Sequence, residues 1–215
     1  MSRAIAIMGE SGSGKTTSLR NLNPEETYII DCDGKGLSWK GWRSQYNAER
    51  QNYYKTDDQD KVLVLMQRIS EKKPGIKNIV IDTANSIMVA DEFRRMKDKG
   101  YDKWQDLAMS VYKITTEASK LRDDINVIVL FHVQVEKDDN SGKQFVRILT
   151  NGQKLNKVGL EKYFTTVLLS KRDDSGNYVF ETRANNSTAK TPLDAFSTET
   201  IPNDMKAVLD VLEEY

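Results

Sequence analysis

The chain has 215 residues, which is enough to bury a hydrophobic core, and we expect a single domain over residues 1–215. Its 32 basic and 32 acidic residues give a formal net charge of zero, which excludes a chain-wide attraction to nucleic acid, so any such surface must be local. The single cysteine excludes an intramolecular disulfide and a cysteine zinc cluster. The sequence has no signal peptide and no long apolar run, which predicts a soluble cytoplasmic protein without membrane contact.

The first predicted element is a buried strand, Ala4–Met8, which leads directly into the glycine-rich segment GESGSGKT at Gly9–Thr16. A strand, a glycine-rich turn and then a helix bring backbone N–H groups and the positive end of a helix dipole around one anion. In this pattern Lys15 reaches the β- and γ-phosphates, and the Thr16 hydroxyl ligates Mg²⁺. The segment therefore predicts a site for ATP and Mg²⁺. The predicted cofactor-binding residues are Gly9, Glu10, Ser11, Gly12, Ser13, Gly14, Lys15, Thr16 and Thr17.

Short β-rich runs alternate with longer polar helical stretches along the rest of the chain, which is typical of an α/β fold with a mostly parallel sheet. The predicted strands after the first are Thr27–Cys32, Asn78–Asp82, Asn126–His132, Thr165–Ser170 and Tyr178–Thr182. The predicted helices are Asp58–Glu71, Ser86–Lys97, Asp102–Arg122 and Asn203–Tyr215. Two turn clusters, Asp138–Gly142 and Asp173–Asn177, each predict a hairpin.

Polar residues end several of the predicted strands, and parallel α/β sheets bind ligands at the carboxyl ends of their strands. Asp82 ends one apolar strand, where a carboxylate holds Mg²⁺ directly or through water. Asp31 and Asp33 end a second strand, and one of them could orient and deprotonate the attacking water. Because no second carboxylate follows Asp82, we expect Asp33 to be that base.

The only histidine, His132, ends a further predicted strand. A polar side chain at that position could hydrogen-bond the γ-phosphate and report its loss to the following loop. The alternative is an imidazole whose partners are backbone groups at a strand end.

The order of a phosphate loop, an acidic strand end, the strand Ile79–Thr83 and a strand ending in His132 resembles the RecA-like core of P-loop ATPases. More narrowly, Gly100–Trp104, Phe131–Val133 and Ala189–Lys190 resemble the compact phage-encoded proteins of the RecA-like single-strand annealing (Sak-type) group. The resemblance implies a RecA-like P-loop NTPase core with helices on both faces of the sheet and a C-terminal β-hairpin extension. A phage-encoded protein would work in the cytoplasm of its host.

The same resemblance implies roles for individual residues. Asp33 stands where RecA-like proteins carry a catalytic Glu, and its shorter side chain could slow hydrolysis. His132 would be the sensor, and Lys190 would reach into the ATP site of a neighbouring subunit in a head-to-tail homo-oligomer, with Arg183 as a second candidate. The predicted catalytic residues are Lys15, Asp33, Asp82, His132 and Lys190, and the predicted metal ligands are Thr16 and Asp82.

Single-stranded DNA is the partner that the resemblance implies, lying against loops that follow the sensor strand. The segment Val135–Lys157 combines cations with one aromatic side chain, which suits phosphate contact and base stacking. Its candidate contacts are Lys137, Lys143, Phe145, Arg147, Lys154 and Lys157. A second aromatic segment, Lys35–Lys55, is more typical of packing.

Two other functions remain open at this stage. A P-loop small-molecule or nucleotide kinase would close an arginine-bearing lid over the phosphates, but the lid-like stretch Val133–Lys154 contains only Arg147. A nucleotide-dependent assembly protein without affinity for DNA is equally compatible with the phosphate loop.

Overall fold

A computed structural model describes residues 2–95, 111–137, 142–150 and 159–215. Its centre is an eight-stranded sheet with the strand order β10-β9-β8-β1-β5-β4-β2-β3, and β6 and β7 form a separate antiparallel pair. The strands are β1 (Arg3–Met8), β2 (Thr27–Asp31), β3 (Tyr53–Lys55), β4 (Asn78–Asp82), β5 (Asn126–Phe131), β6 (Val133–Lys137), β7 (Gln144–Ile148), β8 (Thr166–Arg172), β9 (Tyr178–Glu181) and β10 (Thr200–Pro202).

Six neighbouring strands of the sheet pair in parallel, from β3 at one edge to β8. The pairs β8–β9 and β9–β10 are antiparallel, so β9 runs against the other strands of this sheet. The predicted α/β fold with a mostly parallel sheet is thereby confirmed. The predicted C-terminal hairpin is β8–β9. Its turn is closed by the Asp173 carboxylate, which accepts hydrogen bonds from the backbone N–H groups of Ser175 and Asn177 at 3.0 and 2.7 Å.

Helices cover both faces of the sheet because successive residues of each strand face opposite sides. The α-helices are α1 (Trp42–Gln45), α2 (Gln59–Lys72), α3 (Ala84–Arg94), α4 (111–118) and α5 (Met205–Leu212), and there are 3₁₀ helices at Thr16–Asn21 and Leu160–Tyr163. Apolar side chains of α2, α3 and α4 share one core with alternate strand residues such as Ile79 and Val129. On the other face, α5 and the first 3₁₀ helix pack against the intervening residues, such as Val80 and Ile128.

The predicted strands are all present, each within two residues of its expected bounds. Sequence patterns missed β3, β10 and α1, which are three or four residues long. Edge strands such as β3 and β10 bury little apolar surface, so their sequences carry no alternating pattern. The predicted helix Asp102–Arg122 is described only from residue 111 and ends at 118. The segment Gly100–Trp104, which carries part of the Sak-type resemblance, lies outside the described residues.

The aromatic segment between β2 and β3 packs against the core, as its composition favoured. Tyr46 is 1% exposed, and its ring meets Trp39 edge-on with 6.0 Å between the ring centroids. Trp42 lies against Tyr53 at 5.3 Å, and both contact the same core as α5. Among the described helices, none combines the length and apolar character needed to span a bilayer.

Candidate functional site

The phosphate loop Gly9–Thr16 leaves the end of β1 between β5 and β8. Its entry is fixed by the Gly9 N–H group, which donates to the Phe131 carbonyl at 3.1 Å. A Cβ atom on Gly9 would lie 2.5 Å from the Ser170 carbonyl oxygen. Gly14 has a φ of +99°, and a Cβ atom there would lie 2.7 Å from the Tyr178 ring. Packing therefore requires glycine at Gly9, and both packing and backbone conformation require it at Gly14.

Lys15 is buried in this loop with its ammonium folded back onto it. The Nζ atom donates to the carbonyl oxygens of Gly9 and Glu10, each at 2.8 Å. Burial lowers the pKa of Lys15 to about 8, although the nearby Asp82 carboxylate opposes this shift. A buried cation that donates to neutral carbonyls gains energy when an anion enters the loop, because charged partners form the stronger hydrogen bonds.

Thr16 and Asp82 meet at the base of the loop. The Thr16 hydroxyl donates to Asp82 Oδ2 at 2.7 Å, and Asp82 is 1% exposed. Within the described ranges, the other carboxylate oxygen, Oδ1, is buried without a hydrogen-bond partner. Burial raises the pKa of Asp82 to about 6, against the opposing effect of the Thr16 hydrogen bond.

This pair fits the Mg²⁺ ion that such a loop implies. A hydroxyl and an orphaned carboxylate oxygen are hard oxygen donors, which Mg²⁺ prefers. In the part of the chain that the structure describes, no group of three His, Cys, Asp or Glu side chains could hold a metal ion. A Mg²⁺ ion would therefore depend on phosphate oxygens and water for its other ligands, as is usual in nucleotide sites.

The two carboxylates at the end of β2 have different surroundings. Asp31 accepts hydrogen bonds from the N–H groups of Gly34 and Gly36 at 2.8 and 2.9 Å, and from the Tyr53 hydroxyl at 2.5 Å. Asp31 therefore shapes the loop that follows β2. Sequence reasoning left its role open.

Asp33 lies beside the end of β4, where its own N–H group donates to the Asp82 carbonyl at 3.3 Å. Its carboxylate accepts hydrogen bonds from Thr83, at 2.7 Å, from Ser86 and from Lys35. Burial disfavours ionisation of Asp33, but these hydrogen bonds outweigh it and lower the pKa to about 2. While these bonds persist, Asp33 is a weak proton acceptor. Its role as the base stays a prediction.

His132 follows β5 directly and is half-buried. Its backbone N–H group donates to Asn85 Oδ1 at 2.7 Å, and its backbone carbonyl accepts from the Leu149 N–H group at 2.8 Å. Burial lowers the pKa of His132, and the charges of Lys15 and Lys35 lower it further. The imidazole is thus neutral at pH 7. His132 stands at the same end of the parallel strands as the phosphate loop, and its sensor role stays a prediction.

Sequence reasoning missed Asn85 and Ser86 at the start of α3. Asn85 also donates to the Leu149 carbonyl at 2.9 Å, so it joins α3 to the segments on either side of the hairpin β6–β7. Together with Asp33 and His132, these residues line a cleft of about 680 Å³. Polar residues at the start of a helix are typical of capping, so the sequence of Asn85 and Ser86 alone does not indicate a role in a binding site.

Lys190 lies in the segment beside β8, and Arg183 lies in the segment after β9. Lys190 pairs through its backbone with Val167, which is level with Ala6 in β1. The Arg183 guanidinium donates to the Phe196 carbonyl at 2.7 Å. The structure therefore brings Lys15, Thr16, Asp33, Asp82 and His132 to one end of the sheet and leaves Lys190 beside β8.

The hairpin β6–β7 follows the strand that ends before His132, where the DNA segment was predicted. Arg147 is buried there and forms ion pairs with Glu136 at 2.7 Å and Glu161 at 3.3 Å. These ion pairs hold its guanidinium within the chain, and its expected contact with DNA phosphate stays a prediction. Lys154 and Lys157, and residues 138–141 of the expected turn, lie outside the described residues.

A second cleft, of about 630 Å³, lies between the phosphate loop, the hairpin β6–β7 and the end of β8. A family model described as an AAA domain matches residues 1–193, a range that holds all the site residues named above. No curated protein matches the chain.

Proposed function

Because this chain belongs to the AAA domain family and therefore has a P-loop ATPase-type domain, we propose that it binds ATP with Mg²⁺ at Gly9–Thr16 and hydrolyses it. The observation that carries this proposal is the pair at the base of the loop. Thr16 donates to one oxygen of Asp82, and the second oxygen is buried without a partner among the described residues. The whole chain, residues 1–215, would act as one ATPase domain.

Each residue of the site has a task that follows from its surroundings. Lys15 exchanges the carbonyls of Gly9 and Glu10 for phosphate oxygens, and Thr16 and Asp82 hold the metal. Bound Mg²⁺ neutralises charge that develops on the phosphates. Asp33, held by Thr83, orients the attacking water, and a pKa of about 2 favours orientation over early proton removal.

Phosphate release from ATP tests the enzymatic proposal. We expect Mg²⁺-dependent hydrolysis by the natural chain, with loss of activity in Lys15→Met. The matched control is Lys206→Met, because Lys206 forms a surface ion pair with Asp210 on α5 at 2.6 Å. Equal rates in the natural chain and in Lys15→Met would contradict the proposal.

We further propose that the protein assembles head to tail, with ATP at subunit interfaces, and binds single-stranded DNA in phage-type strand annealing. The Sak-type resemblance supports this role. Backbone hydrogen bonds between two parts of the chain also support it. The Val146 N–H group in β7 donates to the Asn186 carbonyl at 2.8 Å, and the Thr188 N–H group donates to the Val146 carbonyl at 2.9 Å. The hairpin beside His132 is thus joined to the segment that carries Lys190, the proposed contact to a neighbouring subunit.

Fluorescence anisotropy with a single-stranded oligonucleotide tests the DNA role. We expect binding that strengthens with ATP and weakens with salt, because phosphate contacts release counterions. Binding of ATP without any binding of the oligonucleotide would instead favour the assembly protein. The kinase alternative is weakened by the ion pairs that hold Arg147, the one arginine of the lid-like stretch.

A further inference from the structure

A second lysine, Lys35, lies among the charged groups of the site on the loop that follows β2. Its Nζ atom donates to Asp33 Oδ2. Burial acts to lower the pKa of Lys35, but the hydrogen bond to Asp33 and the charges of Asp82, Asp33 and Asp31 outweigh it and raise that pKa. The charge of Lys35 in turn acts to lower the pKa of Lys15 and of His132. The Lys35 ammonium thus contacts Asp33 and interacts electrostatically with the other charged side chains of the site.

The loop holds the backbone around Lys35 and leaves its side chain room to turn. Asp31 accepts from the N–H groups of Gly34 and Gly36, and the Lys55 ammonium donates to the Gly34 carbonyl at 3.1 Å. Gly34 and Gly36 have φ values of +69° and +83°. The Lys35 side chain is 54% exposed, whereas that of its partner Asp33 is 12% exposed. A fixed backbone with a half-exposed side chain suits an ammonium that exchanges partners.

We propose that Lys35 recognises the γ-phosphate of a bound nucleoside triphosphate and leaves Asp33 when that phosphate is present. This inference rests on the proposed function of the loop. Asp33 keeps its hydrogen bonds from Thr83 and Ser86 when Lys35 leaves, so the carboxylate does not become a buried charge without partners. A terminal phosphate carries more charge than a carboxylate and offers three acceptor oxygens, which favours the exchange.

A nucleoside diphosphate lacks that group, so Lys35 stays paired with Asp33 in the diphosphate complex. The exchange thus distinguishes the two nucleotides and also frees one oxygen of Asp33 only when there is a γ-phosphate to attack. No covalent bond changes in this step. The ammonium moves from one anion to another.

Equilibrium titration with fluorescent nucleotides, without turnover, tests the exchange. The dissociation constants of Mg²⁺ complexes of a non-hydrolysable triphosphate and of the diphosphate are measured for the natural chain, Lys35→Met and Lys35→Arg. We expect Lys35→Met to weaken triphosphate binding about ten-fold or more and diphosphate binding by less than about two-fold, the loss of one charged hydrogen bond. Lys35→Arg keeps most of the preference because it keeps the charge.

The controls separate this inference from the proposed function. Lys206→Met removes a paired lysine at the opposite end of the sheet and leaves both constants unchanged. An unchanged ratio of the two constants in Lys35→Met, or an equal loss for both nucleotides, overturns the role of Lys35 while ATP binding by the natural chain stands. A natural chain that binds neither nucleotide overturns both proposals.

Discussion

The carboxylate of Asp82, at the base of the phosphate loop, destabilises the nucleotide-free fold but suits a bound metal ion. Asp82 is buried, its pKa is raised to about 6 by that burial, and Oδ1 has no partner among the described residues. A raised pKa means that the folded state disfavours the ionised carboxylate. The buried charge of Asp82 therefore lowers the free energy of unfolding. This destabilisation is fully present above pH 6 and disappears as the pH falls toward the ordinary pKa of 3.8.

We therefore expect Asp82→Asn to stabilise the nucleotide-free protein at pH 7.5, by about 1–3 kcal/mol, because it removes a buried charge. The same variant loses the part of ATP affinity that depends on Mg²⁺. Thermal unfolding and ATP titration with and without Mg²⁺ measure the two effects. A destabilised variant with unchanged Mg²⁺ dependence would contradict the assignment of Asp82.

His132 offers a direct check on the electrostatics of the site, because the chain has one histidine and its imidazole signal is unambiguous. Burial and two nearby lysines lower its pKa. We expect NMR titration of the nucleotide-free protein to give a pKa below the ordinary value of 6.5. Lys35→Met removes one of the nearby cations, so it moves the pKa upward. A value at or above 6.5 in the natural chain would show that His132 lies in water rather than in this cluster.

Residue patterns predicted some members of this cluster and missed others for a physical reason. Lys15, Thr16 and Asp82 were found because a phosphate loop ties residue types to fixed backbone positions. Asn85 and Lys35 were missed because their partners are distant in sequence or belong to an irregular loop. An Asn at a helix start resembles a cap, and a Lys between glycines resembles an ordinary surface residue.

Among the helices and strands, regular apolar periodicity predicted those that pack against the core but not the short strands β3 and β10 of the sheet. The spacing of Val62, Leu65, Met66 and Ile69 predicts helix α2. Three of these side chains are buried, and Leu65 is partly buried against the same core. Its start is fixed by Asp58, whose carboxylate accepts from the N–H groups of Asp60 and Lys61 at 3.0 and 3.2 Å. The strands β3 and β10 lack such a pattern, since their positions depend on pairing with neighbouring strands.

The cap of α2 gives a simple stability prediction. Asp58→Ala leaves two N–H groups of the first turn without their acceptor, so we expect a loss of about 1 kcal/mol in the free energy of unfolding. Asp58→Asn is the matched control because an Asn side chain still accepts these hydrogen bonds. Urea unfolding measures both. Equal losses in the two variants would assign the effect to charge rather than to capping.

The hairpin β6–β7 depends on a buried ion pair that no periodic pattern could reveal. Arg147 joins Glu136 on the facing strand to Glu161 in the 3₁₀ helix before β8, and Glu161 also accepts from the Ile148 N–H group at 3.0 Å. Arg147→Met leaves the Glu161 charge without its cation, so we expect a loss of about 3 kcal/mol.

Adding Glu161→Gln to Arg147→Met should recover part of that loss, because the uncompensated charge is then gone. A double-mutant cycle by urea unfolding measures the coupling. Strictly additive losses would mean that the ion pair contributes no coupling energy.

At the scale of the whole molecule, the parallel sheet explains why residues far apart in sequence form one site. The parallel strands β1, β2, β4 and β5 end on the same side of the sheet, and the phosphate loop, Asp33, Asp82 and His132 follow those ends or stand at them. The balanced net charge gives no general attraction to polyanions. The affinity of the loop for a triphosphate must therefore come from local groups, above all Lys15 and the backbone N–H groups around it.

Calorimetric titration of ATP with Mg²⁺ into the natural chain and into Lys15→Met tests whether this loop binds the triphosphate through Lys15. We expect the variant to fold, because it replaces a buried cation with an apolar side chain of similar length, and circular dichroism checks this expectation. We predict saturable binding by the natural chain and an affinity lower by roughly a hundred-fold or more in the variant. Equal affinities in two folded proteins would contradict the account.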